Sequence, residues 1–323
     1  AFAIGFDEVN YLKLAASAHL NGLNHAFHTY WSPFYSIAVA LFAYLVPDYE
    51  MAGRLVSMLS STLLIVPLFF FVKTHFSKKV AFGAAILFSC YTISAHFSVK
   101  AESDSIYSFI TVISIILGWN ILNAKSLGKS ILLGILFGCA YLTRPEGIGF
   151  LVTYSGIVLV VVIAQIFKRK SFIPYVYILV LTYLGFGVTS FPYLYFLKHH
   201  TGTWTISTKG TVNQQGEMYV RNKDKFNENP FHSLNEDNTR LVQDEIYHIG
   251  NFVSKVEQQK SDVIQVSIGG VAKKVFENFY ELVTKAFTQV LPMPLVLLLG
   301  LGLFSKSWSG KDALVNLYLL AFI

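Results

Sequence analysis

The chain has 323 residues, of which 54% are hydrophobic and 14% charged, and its formal net charge is +6 at pH 7. Its apolar residues form blocks of about 20 residues, the length that a helix needs to cross a hydrocarbon core about 30 Å thick. Blocks this long exclude an ordinary soluble domain. Because the positive charge lies in short loops between the blocks, we expect no nucleic-acid partner.

The apolar blocks predict a series of membrane-spanning helices. After a first span, of which only a stub ending at Phe6 is present, we expect spans at about residues 55–72, 80–99, 105–124, 130–143, 147–167 and 172–197, within a membrane module of residues 1–197. Residues 198–285 contain equal numbers of acids and bases and predict an extracytoplasmic loop with an amphipathic helix. Residues 286–323 predict further spans, and we expect both ends of the chain to be truncated. The predicted fold class is therefore an all-α polytopic membrane protein.

Basic loops alternate with mixed or acidic loops along the chain. The positive-inside rule assigns the basic loops to the cytoplasmic face. They contain Lys73, Lys78 and Lys79, then Lys125 and Lys129, then Lys168, Arg169 and Lys170, then Lys306 and Lys311. The loops between them fall on the extracytoplasmic face.

The stretch Phe34–Val46 decides which face carries the first acidic residues. It has only 13 residues between two prolines, about 20 Å of helix, which is too short to cross the membrane. We expect it to lie along the membrane with a surface helix over Tyr11–Asn21, so that residues 10–47 form juxtamembrane helices. Asp7 and Glu8 then fall on the extracytoplasmic face.

Two acidic pairs lie at the predicted extracytoplasmic rim. Asp7 and Glu8 follow the end of an apolar helix, where charge is costly unless it is hydrated or functional; the alternative is an interfacial pair that ends the helix. Glu102 and Asp104 would chelate a divalent cation as an acid-x-acid pair, or Asp104 would cap the next helix. We favour a site without a metal.

Basic side chains reach the same rim. Lys100 lies beside the second acidic pair, and Arg144 ends a span, where a guanidinium needs an anion, either Glu146 or a phosphate. Acids and cations together suit a reaction that needs a base for an acceptor hydroxyl and positive charge for a departing lipid phosphate.

Five segments resemble motifs of known membrane glycosyltransferases, in the same order along residues 1–200. They are Phe6-Asp7-Glu8-Val9, Trp31-Ser32-Pro33-Phe34, Ala52-Gly53-Arg54-Leu55, Lys100 to Asp104, and Leu142-Thr143-Arg144-Pro145-Glu146-Gly147. The sequence resembles the dolichyl-phosphate-mannose protein O-mannosyltransferases and is similar to the lipid A aminoarabinose transferases. The resemblance implies the GT-C membrane fold and a sugar donor that is a polyprenyl phosphate. The chain departs from the aminoarabinose transferases at Ser32, where they have lysine, and from the O-mannosyltransferases, which usually carry His-Pro-Pro at this place.

The resemblance also implies roles for individual residues. Asp7 is the expected general base, and Glu8 is expected to orient the substrate. The residues expected to bind donor or acceptor are Tyr11, Trp31, Arg54, Lys100, Glu102, Asp104 and Arg144.

The predicted function is an inverting glycosyltransferase that moves a sugar from a polyprenyl phosphate to an extracytoplasmic hydroxyl of a protein, lipid or glycan. The predicted location is a bacterial inner membrane or an ER-type membrane. The alternative is a multi-span transporter or lipid flippase with the rim charges as its gate, which predicts charges near the bilayer midplane and paired repeats. The spans are almost uncharged, and no repeat is detected. In the polar segment Thr201–Gly210, Trp204 would stack on a sugar or lie in a solvated loop.

Overall fold

The structure is a computed structural model that describes residues 5–209, residue 280 and residues 310–322. Its helices are α1 (Phe6–Asn21), α2 (Pro33–Phe42), α3 (Tyr49–His75), α4 (Lys78–Ser89), α5 (Thr92–Ser98), α6 (Asp104–Ala124), α7 (Leu127–Thr143), α8 (Gly147–Phe167), α9 (Ile173–Thr201) and α10 (Gly310–Leu320). A short 3-10 helix, Leu23–Ala26, links α1 to α2. No strand occurs among the described residues.

The chain divides into two compact units, Ala1–Thr211 with Leu314–Ile323, and Val212–Ala313. All the contacts discussed below lie within the first unit. The predicted span stub lies outside the described residues except for Gly5 and Phe6. The amphipathic helix predicted within residues 198–285 also lies outside them, as do the further spans predicted over residues 286–323 except for residues 310–322. The helix α9 extends to Thr201, so the polar segment begins after it rather than at residue 198.

Within the described ranges, four helices are long and apolar enough to cross a membrane: α3, α6, α8 and α9. They expose large apolar side chains, such as Val160, Phe167 and Val188, which are 66%, 84% and 77% exposed. Such surfaces are stable against lipid and unfavourable against water. The all-α polytopic membrane class predicted from the sequence is therefore confirmed.

The stretch predicted as one span over residues 80–99 is a bent pair of helices. The axes of α4 and α5 differ by 59°. The bend arises because Tyr91 adopts an extended backbone, with ψ of 109°, which interrupts the hydrogen bonds along the helix. Together the two helices are long and apolar enough to count as a fifth, broken span.

Helices α7 and α9 pack closely because glycines face the partner backbone. A Cβ atom at Gly134 would lie 2.0 Å from the carbonyl oxygen of Thr182, and one at Gly185 would lie 2.3 Å from that of Ile131. Any larger residue would force the helices apart. This packing fixes the end of α7, which carries Arg144, relative to the end of α9.

The amino-terminal helix α1 begins at Phe6, four residues before the predicted juxtamembrane region. Glu8 accepts a hydrogen bond from the Gly5 backbone amide, and the acidic pair lies in the first turn, where the helix dipole favours negative charge. The helix ends at Gly22, whose φ of 109° is unfavourable for other residues. Asp7 and Glu8 thus belong to the first turn of α1.

The helix α2 is short, as predicted, and packs against α1. Tyr11 and Tyr35 make an edge-to-face contact with ring centroids 5.2 Å apart, and the Ser36 hydroxyl donates to the Tyr11 carbonyl oxygen at 3.0 Å. The ten residues of α2 extend about 15 Å. The position of α1 and α2 along the membrane surface, on the extracytoplasmic face, stays a prediction.

Candidate active site

Asp7 is the exposed carboxylate of the site. It lies in the first turn of α1, and its side chain is solvent-accessible. The surrounding protein raises the pKa of Asp7, chiefly because it removes water from the carboxylate, while the positive charges of Lys209, Arg144 and Lys100 oppose this effect. Four charged groups besides Asp7, including Asp104, therefore act on this carboxylate.

Glu8 has the opposite environment. It is only 2% exposed, and its two carboxylate oxygens accept backbone hydrogen bonds, one from Gly5 at 2.5 Å and one from Ala101 at 2.8 Å. These bonds attach the start of α1 to the loop between α5 and α6. The structure thus gives Glu8 a positioning role at the start of α1, and its expected role in orienting the substrate stays a prediction.

The second acidic pair is paired with basic side chains. The Lys100 ammonium lies 3.3 Å from a Glu102 carboxylate oxygen, and the Arg144 guanidinium lies 2.5 Å from an oxygen of Asp104. Arg144 also donates to the Ser103 hydroxyl at 3.1 Å. Asp104 is the first residue of α6 rather than its cap. The structure therefore joins the end of α7 to the start of α6 through an ion pair.

Glu102 and Asp104, the acid-x-acid pair considered for a metal, are each in an ion pair with a basic side chain. No cluster of three or more metal-ligating side chains occurs in the part of the chain that the structure describes. Loss of water around Glu102 raises its pKa, an effect that the neighbouring Lys100 opposes. The expectation that the site works without a metal stays a prediction.

Tyr11 and Trp31 form the aromatic support beneath these charges. Both are almost fully buried, and their rings meet edge to face with centroids 5.3 Å apart. The Tyr11 hydroxyl lies 3.2 Å from that of Ser103. Burial raises the pKa of Tyr11 to about 12, so its hydroxyl stays protonated at neutral pH. These two residues pack the site together, and the binding of donor or acceptor expected of them from the resemblance stays a prediction.

His28 shapes the turn that carries Trp31. Its Nδ1 atom accepts backbone hydrogen bonds from Tyr30 at 3.1 Å and from Trp31 at 3.2 Å. Burial lowers the pKa of His28 to about 4, which keeps the imidazole neutral and able to accept them. No motif around His28 predicts this role.

Arg54 is engaged elsewhere. It pairs with Glu50, one turn earlier in α3, at 2.7 Å. The structure thus brings together the start of α1, Lys100, Glu102, Asp104 and Arg144, and it gives Arg54 a carboxylate partner outside this set.

Lys209 is a site residue that the sequence did not single out. Its ammonium lies 5.8 Å and 5.9 Å from the ring centroids of Tyr30 and Trp31. The nearby Trp204 is 60% exposed, and the Lys198 ammonium lies 4.6 Å from the centroid of its ring. A lysine in a polar segment carries no motif, so only the folding back of the chain after α9 shows its position.

A cavity of about 270 Å³ lies between α3, α4, α5 and α6 and reaches Asp104. Its lining is mainly apolar and aromatic, with a few serines. The residues that line it are Ser61, Leu64, Phe88, Tyr91, Ile93, Ser94, Phe97, Asp104, Ser105 and Ser108. The cavity thus joins an apolar surface between helices to the charged end of α6.

Fold and site together define a class: an all-α membrane protein with carboxylates and cations gathered at one end of its helices. The sequence model of the dolichyl-phosphate-mannose-protein mannosyltransferases matches residues 28–190, about half of the chain. The chain belongs to this family, so it is a membrane glycosyltransferase of the mannosyltransferase type, and the predicted GT-C relationship is confirmed. Membership implies a lipid-linked sugar donor and an acceptor at a membrane. Neither the curated proteins nor the solved structures gave a match to the chain.

The matched region includes Trp31, Arg54, Lys100 and Arg144, whereas Asp7 precedes it. The role of Asp7 therefore depends on its position in the structure and on the motif around it.

Proposed function

We propose that the chain transfers a sugar from a polyprenyl phosphate to an acceptor hydroxyl with inversion at the anomeric carbon. This proposal rests on the different exposure of two neighbouring carboxylates, Asp7 and Glu8. Glu8 is buried and bound to backbone amides, while Asp7 remains exposed beside the cations of the site. A carboxylate fixed by its neighbour and left accessible suits a general base.

In the proposed reaction, Asp7 takes the proton of the acceptor hydroxyl as its oxygen bonds to the anomeric carbon. The bond between that carbon and the phosphate oxygen breaks, and the phosphate leaves with the electron pair. Because attack and departure occur on opposite faces of the sugar, the anomeric configuration inverts. The raised pKa of Asp7 makes this carboxylate a stronger base than an ordinary aspartate.

The cations beside Asp7 support a phosphate leaving group. Arg144 is held in place by Asp104 and Ser103, so its guanidinium is already oriented before a donor arrives. The cavity that reaches Asp104 supports a lipid donor, because its apolar lining suits a polyprenyl chain whose phosphate would meet the charged end. We place this site on the extracytoplasmic face, following the positive-inside rule.

The test is the variant Asp7→Asn, which keeps the shape of the side chain and removes its basicity. Membranes with the full chain would receive labelled polyprenyl-phosphate mannose, and the release of polyprenyl phosphate would be followed. We expect a rate about 10²- to 10⁴-fold lower than that of the unmodified chain. The matched control is Glu50→Gln, which removes a carboxylate on α3 and should leave the rate within about twofold. Full transfer by Asp7→Asn would refute the assignment of the base.

The stereochemistry needs a separate measurement. NMR of the product would report its anomeric configuration, and retention of the donor's configuration would exclude the proposed single displacement.

A further inference from the structure

Not every cation around Asp7 is in an ion pair with a carboxylate of the described residues. Lys100 pairs with Glu102, and Arg144 pairs with Asp104. Lys209 is the remaining cation among those that act on Asp7. Among the described residues, no carboxylate lies within ion-pair distance of its ammonium. An ammonium without a carboxylate partner has capacity for an anionic ligand.

The segment that carries Lys209 is attached to the rest of the molecule. The Thr208 hydroxyl donates to the Thr29 carbonyl oxygen at 2.7 Å, and the Tyr141 hydroxyl donates to that of Ile206 at 2.7 Å. The Lys209 amide itself donates to the Ser207 hydroxyl at 3.1 Å. The first two bonds attach the backbone of residues 206–208 to α7 and to the turn before α2. Lys209 is therefore held where its charge acts on Asp7, at the start of α1.

The rings beneath Lys209 orient it without neutralising it. Tyr30 and Trp31 present aromatic rings to the ammonium at 5.8 Å and 5.9 Å, distances at which a cation is attracted by the ring electrons. The half-buried ammonium keeps its three hydrogen-bond donors and its full charge. A phosphate is a strong acceptor for such a group.

We propose that Lys209 binds the phosphate of the donor, so that this lysine recognises the charged head of a polyprenyl phosphate. This inference rests on the proposed function, because it assumes a lipid phosphate as donor. It adds Lys209 to the cations that would meet the phosphate. Arg144 and Lys100 are each also in an ion pair with an acid of the site, whereas Lys209 has no carboxylate partner among the described residues.

The experiment compares two ligands with the same hydrocarbon chain, a polyprenyl phosphate and the uncharged polyprenol. Binding of each to the purified full chain would be measured for the unmodified protein, Lys209→Met and Lys209→Arg. The matched control is Lys198→Met, because Lys198 also lies over an aromatic ring, that of Trp204, in the same part of the chain. Thermal unfolding of each variant would verify that it is folded.

We expect Lys209→Met to bind polyprenyl phosphate about 10- to 100-fold more weakly, with polyprenol binding unchanged. Lys209→Arg should keep most of the preference for the phosphate, and Lys198→Met should match the unmodified protein. If Lys209→Met does not fold, Lys209→Gln gives the same comparison with a polar side chain of similar length.

Three results would overturn the inference: an unchanged preference for the phosphate in Lys209→Met, an equal loss of both lipids, or an equal effect of Lys198→Met. An unchanged preference for the phosphate in Lys209→Met would exclude Lys209 as a phosphate ligand, and the proposed function would still stand. If the unmodified protein itself shows no preference for polyprenyl phosphate over polyprenol, the proposed donor class fails together with the role of Lys209.

Discussion

The two ends of α6 show different uses of polar groups. At its start, Asp104 and Arg144 form an ion pair beside the exposed Asp7. At Trp119, 15 residues or about 22 Å further along the helix, the polar groups are neutral. The Trp119 indole donates to Nε2 of His75 at 2.7 Å, and the Tyr318 hydroxyl donates to the Ile115 carbonyl oxygen at 2.7 Å.

Neutral hydrogen bonds at the Trp119 end satisfy buried groups at little electrostatic cost. Charged groups that lose water in a membrane protein are expensive, so the pairs of acids and cations at the Asp104 end indicate work that the neutral groups around Trp119 would not perform. The comparison therefore separates an end that holds the helices together from the end where the proposed chemistry takes place. Substitutions at the two ends should therefore change different properties of the protein, activity at the Asp104 end and stability at the Trp119 end.

The largest expected effect is that of Arg144→Met. The change leaves Asp104 without its partner, next to the base that the reaction needs, so we expect the transfer rate to fall about 100-fold. Measurement of transfer for Arg144→Met, Asp104→Asn and the double variant forms a thermodynamic cycle. Because the pair acts as a unit, the double variant should lose less than the sum of the two single losses. Strictly additive losses would show that the ion pair is not what Arg144 contributes.

The Trp119 end should respond differently to a change of similar size. Trp119→Phe removes the hydrogen bond to His75, and we expect about 1 kcal/mol less stability towards unfolding. The transfer rate below the unfolding temperature should stay within about twofold. A large loss of transfer in folded Trp119→Phe would show that the two ends of α6 are coupled, which contradicts a separation of stability from activity.

The sequence predicted the convergence of Asp7, Asp104 and Arg144, because each lies at the end of an apolar block and the blocks alternate in direction. It did not predict which carboxylate of the first pair is buried. Successive helical residues point about 100° apart, so Asp7 and Glu8 face different surroundings, and only the packing against Ala101 shows that Glu8 is the buried one.

Two other positions show what sequence patterns leave open. Gly185 and Gly187 lie in the same apolar block, yet a Cβ at Gly185 would meet the Ile131 backbone, while one at Gly187 would meet nothing within 4 Å. Arg54 has Glu50 four residues earlier, a spacing that favours an ion pair within one helix. That signal was present in the sequence, whereas the position of Lys209 depends on contacts between residues more than 100 positions apart.

The smallest predicted effect concerns the stability of the protein at different pH values. Removal of water raises the pKa of Asp7 above its ordinary value of 3.8, despite three nearby cations. Its ionised form is therefore less favourable in the folded protein than in the unfolded chain, and the associated loss of stability appears as the pH rises through the raised pKa. At neutral pH, Asp7→Asn should unfold at a slightly higher temperature than the unmodified protein, although its transfer is lost. Thermal unfolding at several pH values should show this difference shrinking as the pH falls below the raised pKa. The control Glu50→Gln, which loses an ion pair, should show no rise in unfolding temperature. A lower unfolding temperature for Asp7→Asn at neutral pH would contradict the prediction, because it would mean that the ionised Asp7 stabilises the folded protein.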